Sequence, residues 1–222
     1  NGNYTLSGKS AYLNISFNLL LDSGNYNLLG SHTNLLLSYI LLSDQGEFSI
    51  FGSDVTFKRE RYAIAIYPGA FSLTGSSATL KVKHVLSTSS KAFNIYGNNV
   101  VLKRAYTLIA NSTAFGIYGS NITLKRRYAL GAYPASFNIY GYITLFNIAH
   151  VLRTIPGVLS LTGLNIAIKF GHMLSTQPGL FSLAGNNVAT NLGRAILAQS
   201  GLFNLAGADA GLIGKRKLHT EF

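Results

Sequence analysis

Apolar and polar residues alternate along this chain in short runs separated by glycine. Phe71 and Leu73 fall on one side, Ser72 and Thr74 on the other. After Gly75 the alternation resumes, with Ala78, Leu80, Val82, His84 and Leu86 on one side and Thr79, Lys81, Lys83 and Val85 on the other. A period of two is that of a strand, whose successive side chains point to opposite faces. The runs are rich in Thr, Val, Ile, Tyr and Phe, and Ala-, Glu- and Lys-rich segments with helix caps are missing. The pattern predicts an all-β protein.

The runs recur. An aromatic or leucine, a gap, an aliphatic, a gap and a glycine open each copy, near Tyr4, Tyr26, Phe48, Phe71, Phe93, Phe115, Phe137, Leu159, Phe181 and Phe203. The phase glycines are Gly8, Gly30, Gly52, Gly75, Gly97, Gly119, Gly141, Gly163, Gly185 and Gly207, ten copies at a spacing of 22 with one step of 23 between Gly52 and Gly75. All four prolines, Pro68, Pro134, Pro156 and Pro178, share a second phase, and glycine follows it at Gly24, Gly46, Gly69, Gly157, Gly179 and Gly201. A fixed period running end to end makes residues 1–222 a single repeat array.

Charges crowd the middle of the longer run, as in Lys103-Arg104 and Lys125-Arg126-Arg127, which suits a corner. Each copy then divides into three short strands, with turns at Gly-Ser-Asn, at the basic pair and at Pro-Gly. Three strands per 22 residues predict a three-sided parallel β-solenoid, its core filled by Phe71, Leu73, Leu80, Leu86 and their equivalents. Ten rungs at about 4.8 Å make a rod roughly 48 Å long. Backbone pairing of residues 22 apart, such as Leu102 with Leu124, is the signature. The alternative is a stack of antiparallel hairpins about the glycine turns, with positive φ supplied by glycine. Strict spacing favours the solenoid, which absorbs the extra residue as one bulge near Arg61. Leucine-rich repeats share the period but not the Leu-x-x-Leu-x-Leu spacing.

The first two copies lack the basic corner and carry leucine on both faces, at Leu19, Leu20, Leu21, Leu35, Leu36, Leu37, Leu41 and Leu42. A strand apolar on both faces is buried on both. Residues 11–42 are therefore expected to pack on another subunit or another part of the assembly, making a homo-oligomer or polymer, or to be covered by residues preceding them. Residues 1 and 222 stand at the same phase of the repeat, so one molecule is expected to continue the next in a head-to-tail contact that does not close. The basic last copy, with Lys215, Arg216, Lys217 and His219, would act instead as a cap.

Charge changes the picture of the outer surface. The net charge is +11, all seven acids lie toward the ends, and between Arg61 and Ala208 there are twelve Lys or Arg and no acid. Such a field favours polyanions, whether nucleic acid or acidic glycan. Stacking would align Lys58, Lys81, Lys103, Lys125 and Lys169 in a column, flanked by Lys83, Arg104, Arg126 and Arg127. Unit charges one rung apart repel by about 1 kcal/mol even in water, so a bound polyanion or screening salt is expected to offset them.

The fourteenth position forms another column, Phe17, Tyr39, Tyr62, His84, Tyr106, Tyr128, His150, His172, Arg194 and Arg216, and Tyr96, Tyr118 and Tyr140 follow one another at the fourth. Stacked rings stabilise a ladder. His150 and His172 lack a third ligand type, so a metal is not expected, and no cofactor motif is present. With neither a carboxylate pair in the middle of the array nor a nucleophile motif, an enzyme is not expected. Cysteine is absent, which excludes disulfides and thiolate metal sites. No apolar run approaches the roughly 20 residues of a membrane helix. Asn1 is not followed by a charged-then-apolar leader, so a signal peptide is either removed or outside this stretch. Acceptor patterns for N-glycosylation occur at Asn3, Asn14, Asn111 and Asn121.

Gly-Ala-Phe-Ser-Leu-Thr-Gly-x-x-Ala-Thr-Leu at residues 69–80 and Gly-Leu-Phe-Ser-Leu-Ala-Gly at 179–185 resemble the 22-residue Gly-x-Phe-x-Leu-Thr-Gly repeats of uncharacterised phage and environmental bacterial proteins. The resemblance covers essentially the whole array, except that the leucine-rich early copies depart from it. It implies a structural part of a virion or cell-surface fibre and carries no functional residues across. The expectation is a self-assembling structural subunit of an extracellular filament, fibre or virion. The alternative is a polyanion- or glycan-binding rod that uses the basic stripe.

Overall fold

A strand with one apolar side must bury it, and a 22-residue unit is too small to do so alone. In the computed structural model each unit lies on its neighbours. Phe71 and Leu73 pair with Phe48 and Ile50 of the preceding copy and with Phe93 and Ile95 of the following one. Leu102 pairs with Leu124, and among the described residues every strand pair is parallel and none runs across a phase glycine within one copy. The fold is a parallel β-solenoid, and the antiparallel hairpin arrangement is set aside. The structure describes residues 2–15, 19–21, 24–37, 41–43, 47–59, 64–66, 70–82, 86–88, 92–104, 108–110, 114–126, 129–132, 136–148, 151–154, 157–171, 173–176, 179–193, 195–199, 202–214 and 218–221.

Each coil has three runs. The first, or aromatic, arm leads to the phase glycine. The second arm ends near the lysine column, and a short third strand closes the coil. The first two arms belong to one 14-stranded sheet and the third strands to a separate 10-stranded sheet. In six coils the first two arms form one unbroken strand, Gly2–Ile15, Gly24–Leu37, Glu47–Arg59, Ala70–Val82, Ala114–Arg126 and Ser136–Ile148. This corrects the expectation that glycine ends a strand. The corner is a bend within the ladder, where inward-facing positions change phase: Phe71 and Leu73 are buried before it, Ala78 and Leu80 after it. Where the strand does break, rungs remain bonded. Gly97 N–H donates to Tyr118 C=O at 3.0 Å and Asn121 N–H to Asn98 C=O at 2.7 Å.

Glycine is required at this corner for close approach. No phase glycine has positive φ, so the backbone itself would accept other residues. A Cβ on Gly97 would stand 2.5 Å from the carbonyl oxygen of Gly75, and one on Gly75 2.7 Å from that of Gly52. The same clash recurs at Gly119 against Gly97 and at Gly163 against Gly141, whereas Gly8, with no described rung before it, meets nothing nearer than 3.6 Å. The proline-glycine phase is built alike, with Gly157 C=O lying 2.6 Å from a Cβ on Gly179.

The core runs along the axis in columns. Phe48, Phe71, Phe93, Phe115 and Phe137 are buried and stacked, with centroid separations of 5.7, 4.8, 4.8 and 4.5 Å and ring planes within 14°. Spacings near the strand separation let each ring sit flat on the next. A second column, Ile50, Leu73, Ile95, Ile117, Ile139, Leu161 and Leu183, fills the space beside it. Of the expected core residues, Phe71, Leu73 and Leu80 are buried; the side chain of Leu86 lies outside the described set.

The 23-residue step is bracketed by the register. Arg59 pairs with Leu37 at an offset of 22, but Ala65 pairs with Leu42 at 23. The extra residue therefore lies between Arg59 and Ala65; Arg61, near which a bulge is expected, lies outside the described residues. The leucine-rich coils need one correction. Leu35 is buried in the core of its own coil, 1% exposed, and is no assembly surface; Leu36, facing the other way, is half-buried. The side chains of Leu19, Leu20, Leu21, Leu37, Leu41 and Leu42 lie outside the described set.

Candidate polyanion-binding face

The outer side of the second arm carries the lysines because the inward positions on either side of them are apolar. Leu80, Leu102 and Leu124 point in and are buried, so Lys81, Lys103 and Lys125 must point out, and they are exposed. The ladder pairs Lys58 with Lys81, Lys81 with Lys103 and Lys103 with Lys125. Four rungs in succession thus present an ammonium stem at about 4.8 Å spacing. The column then alternates: Lys125 pairs with Asn147, Asn147 with Lys169, and Lys169 with Asn191. Arg104 pairs with Arg126 one position further on; their side chains, and all of Lys83 and Arg127, lie outside the described set.

Two further outward columns flank the lysines. Nearest the corner, Asn99, Asn121, Ile143, Asn165, Asn187 and Asp209 follow one another in register. Asn121 Nδ2 donates to Asn99 Oδ1 at 3.0 Å and Asn187 Nδ2 to Asn165 Oδ1 at 2.7 Å. Asn121, which heads one of the acceptor patterns, is thus exposed and already engaged in a ladder bond. In the early coils the same column holds His32 and Asp54, with Nδ1 3.1 Å from Oδ2. Between this column and the lysines lie Thr79, Val101, Thr123, Leu145, Ala167 and Ala189. The change from branched side chains to alanine hollows out a trough of about 390 Å³ beside Lys125, Asn147, Lys169 and Asn191.

The coil that opens at Phe137 carries a cluster of exposed hydrophobics. Tyr140, Tyr142, Ile143 and Leu145 are all exposed, Tyr142 to 60%. Tyr140 belongs to the expected tyrosine stack: Tyr96, Tyr118 and Tyr140 lie at centroid separations of 4.9 and 5.5 Å. The Tyr118 ring covers Gly116, where a Cβ would meet its hydroxyl at 2.7 Å. Burial, and then the neighbouring Tyr96 and Tyr140 phenols, push its ionisation above the ordinary 10.0.

The fourteenth-position column, including His150 and His172, lies outside the described residues, as does Asn111. Among the described residues no group of three or more His, Asp or Glu converges as a metal site would require. No helix among the described residues is long and apolar enough to cross a membrane. Reading by motif misses the asparagine column, the lysine-asparagine alternation and the alanine floor. Comparing one position down successive copies exposes all three. Comparison with protein-family models, curated proteins and solved structures yields no match.

Proposed function

We propose that the chain is a structural repeat protein, a rigid solenoid segment that builds an extracellular filament, fibre or virion assembly by stacking coil on coil. The observation that carries this reading is that, among the described residues, each coil pairs in parallel with the next from the first to the last. A surface that accepts the next coil of its own chain is equally a template for a coil of another copy, since both offer the same strand edge and the same columns. Sedimentation velocity and electron microscopy of the purified chain over rising concentration test the reading. Rods several molecules long are expected, and a monomer that persists at high concentration removes it.

A second reading is favoured by the exposed lysine column: the outer face of the second arm binds polyanions. Retention on heparin or DNA columns measured against rising salt tests it. Elution well after an unrelated protein of equal net charge is expected; co-elution with that protein reduces the column to a solubilising surface.

A further inference from the structure

We propose that the trough beside Lys125 and Lys169 is a site for a linear glycan of alternating acidic and neutral rings, lying along the solenoid axis. The proposal rests on the polyanion reading and names the ligand class.

The outer face offers two different charge rhythms. From Lys58 to Lys125 there is a lysine on every rung; from Lys125 onward lysine and asparagine alternate in register, Lys125, Asn147, Lys169, Asn191. All four of these side chains are exposed. Lysines two rungs apart are separated by about 10 Å. A sugar ring in an extended glycan advances by close to one rung, so the two-ring repeat of such a polymer matches two rungs. A carboxylate or sulfate on every second ring then meets Lys125 and Lys169. The hydroxyl or acetamido groups of the intervening rings meet Asn147 and Asn191, whose amides both donate and accept. A nucleic-acid strand fits this rhythm poorly, since duplex phosphates advance about 3.4 Å along each strand and every residue is charged.

The trough supplies the second half of the match. Thr123, Leu145, Ala167 and Ala189 line it in register, and its floor drops at Ala167 and Ala189, the alanines that follow Thr79, Val101, Thr123 and Leu145 down the column. Gly211 follows Ala189 in register, with no atom within 4 Å of where its Cβ would stand, and Leu145, 47% exposed, makes an apolar step on the rung between Lys125 and Lys169. An apolar floor beside a polar wall suits sugar rings, whose C–H faces pack while their edges hydrogen-bond. In the outward column next to that floor, Asn187 Nδ2 donates to Asn165 Oδ1 at 2.7 Å, which holds both amides oriented.

Calorimetric titration of the full chain at about 0.15 M salt tests this with three probes. These are an octasaccharide alternating glucuronate with N-acetylglucosamine, an oligouronate charged on every ring, and oligo-dT. Lys169→Gln and Lys81→Gln each remove one charge, and Ala167→Phe fills the trough without altering charge. The alternating octasaccharide should bind, and both Lys169→Gln and Ala167→Phe should weaken it about tenfold or more, while Lys81→Gln leaves it within about twofold. Equal losses for the two lysine variants would mean a non-specific field and overturn the proposal. If the oligouronate or oligo-dT binds and the alternating glycan does not, the polyanion reading stands and this site falls. If none of the three binds, both fall.

Discussion

The first and second arms of each coil share one sheet and one register, yet they are built to different standards. The first arm stacks Phe on Phe from Phe48 to Phe137, with rings parallel and fully buried. The second arm turns inward an assortment at the matching depth, Val55, Ala78, Val100, Ile122, Thr144, Ile166 and Val188, all buried. An aromatic column gains from identity, because each flat ring needs another of the same outline at strand spacing; an aliphatic column needs only volume. The outer sides differ in the reverse sense. Lysines on the second arm repel along the axis, while the tyrosines of the first attract. One arm therefore enforces register, and the other is free to vary its chemistry.

Truncation should separate the arms most clearly. Phe115→Ala, in the middle of the ring column, should lower stability by about 4 kcal/mol. Val100→Ala on the second arm should cost about 2 kcal/mol, two methylenes' worth of burial. Urea denaturation compares the two, and equal losses would remove the distinction. At the joint between the arms, Gly119→Ala drives a methyl into the carbonyl of Gly97 and should cost about 3 kcal/mol, while Gly8→Ala stays within about 0.5 kcal/mol. If the two glycines respond alike, contact between rungs is not what selects glycine.

Smaller effects sharpen the picture of the second arm. Thr144 and Thr190 are buried with hydroxyls that find no partner, whereas Thr33 Oγ1 reaches Gly30 C=O at 3.0 Å and Phe51 C=O at 2.9 Å. Thr144→Val should therefore raise the melting midpoint, by about 1 kcal/mol in stability, and Thr33→Val should lower it by about as much. Matching shifts of one sign would show that the hydroxyls are not the cause.

The smallest effect lies in the tyrosine stack. Because the Tyr118 phenol ionises above 10.0 when folded, the folded chain holds its proton longer than the unfolded chain does. Its contribution is complete below about pH 10 and is lost as pH rises through the folded value. Tyr118→Phe should flatten the alkaline fall in stability relative to the unmutated chain. Taking the difference between the two proteins removes the common titration of the lysines, and identical alkaline profiles would rule the effect out.

Much of this was legible in the sequence. Alternation is a local property of a strand, so Phe71, Leu73 and Leu80 declare an inward side and Lys81 an outward one before any neighbour is known. A constant period of 22 states which residues meet, and Leu102 with Leu124 or Tyr96 with Tyr118 and Tyr140 needed nothing more. Leu35 was misjudged because a leucine on both sides of a strand reads as two apolar faces, while the inward one belongs to the core of its own coil. The role of glycine was also beyond reach of the sequence, since a turn that needs positive φ and a corner that needs a missing Cβ select the same residue. Only the stacking distance between rungs decides between them, by placing the carbonyl of Gly75 against the α-carbon of Gly97. The trough is tertiary for the same reason: small side chains at Ala167 and Ala189 become a groove only when parallel pairing sets them side by side with Lys169 and Asn191 along the wall. Periodicity along the chain determined the columns; the distance between columns, and whatever fits in it, was decided by how the coils stack.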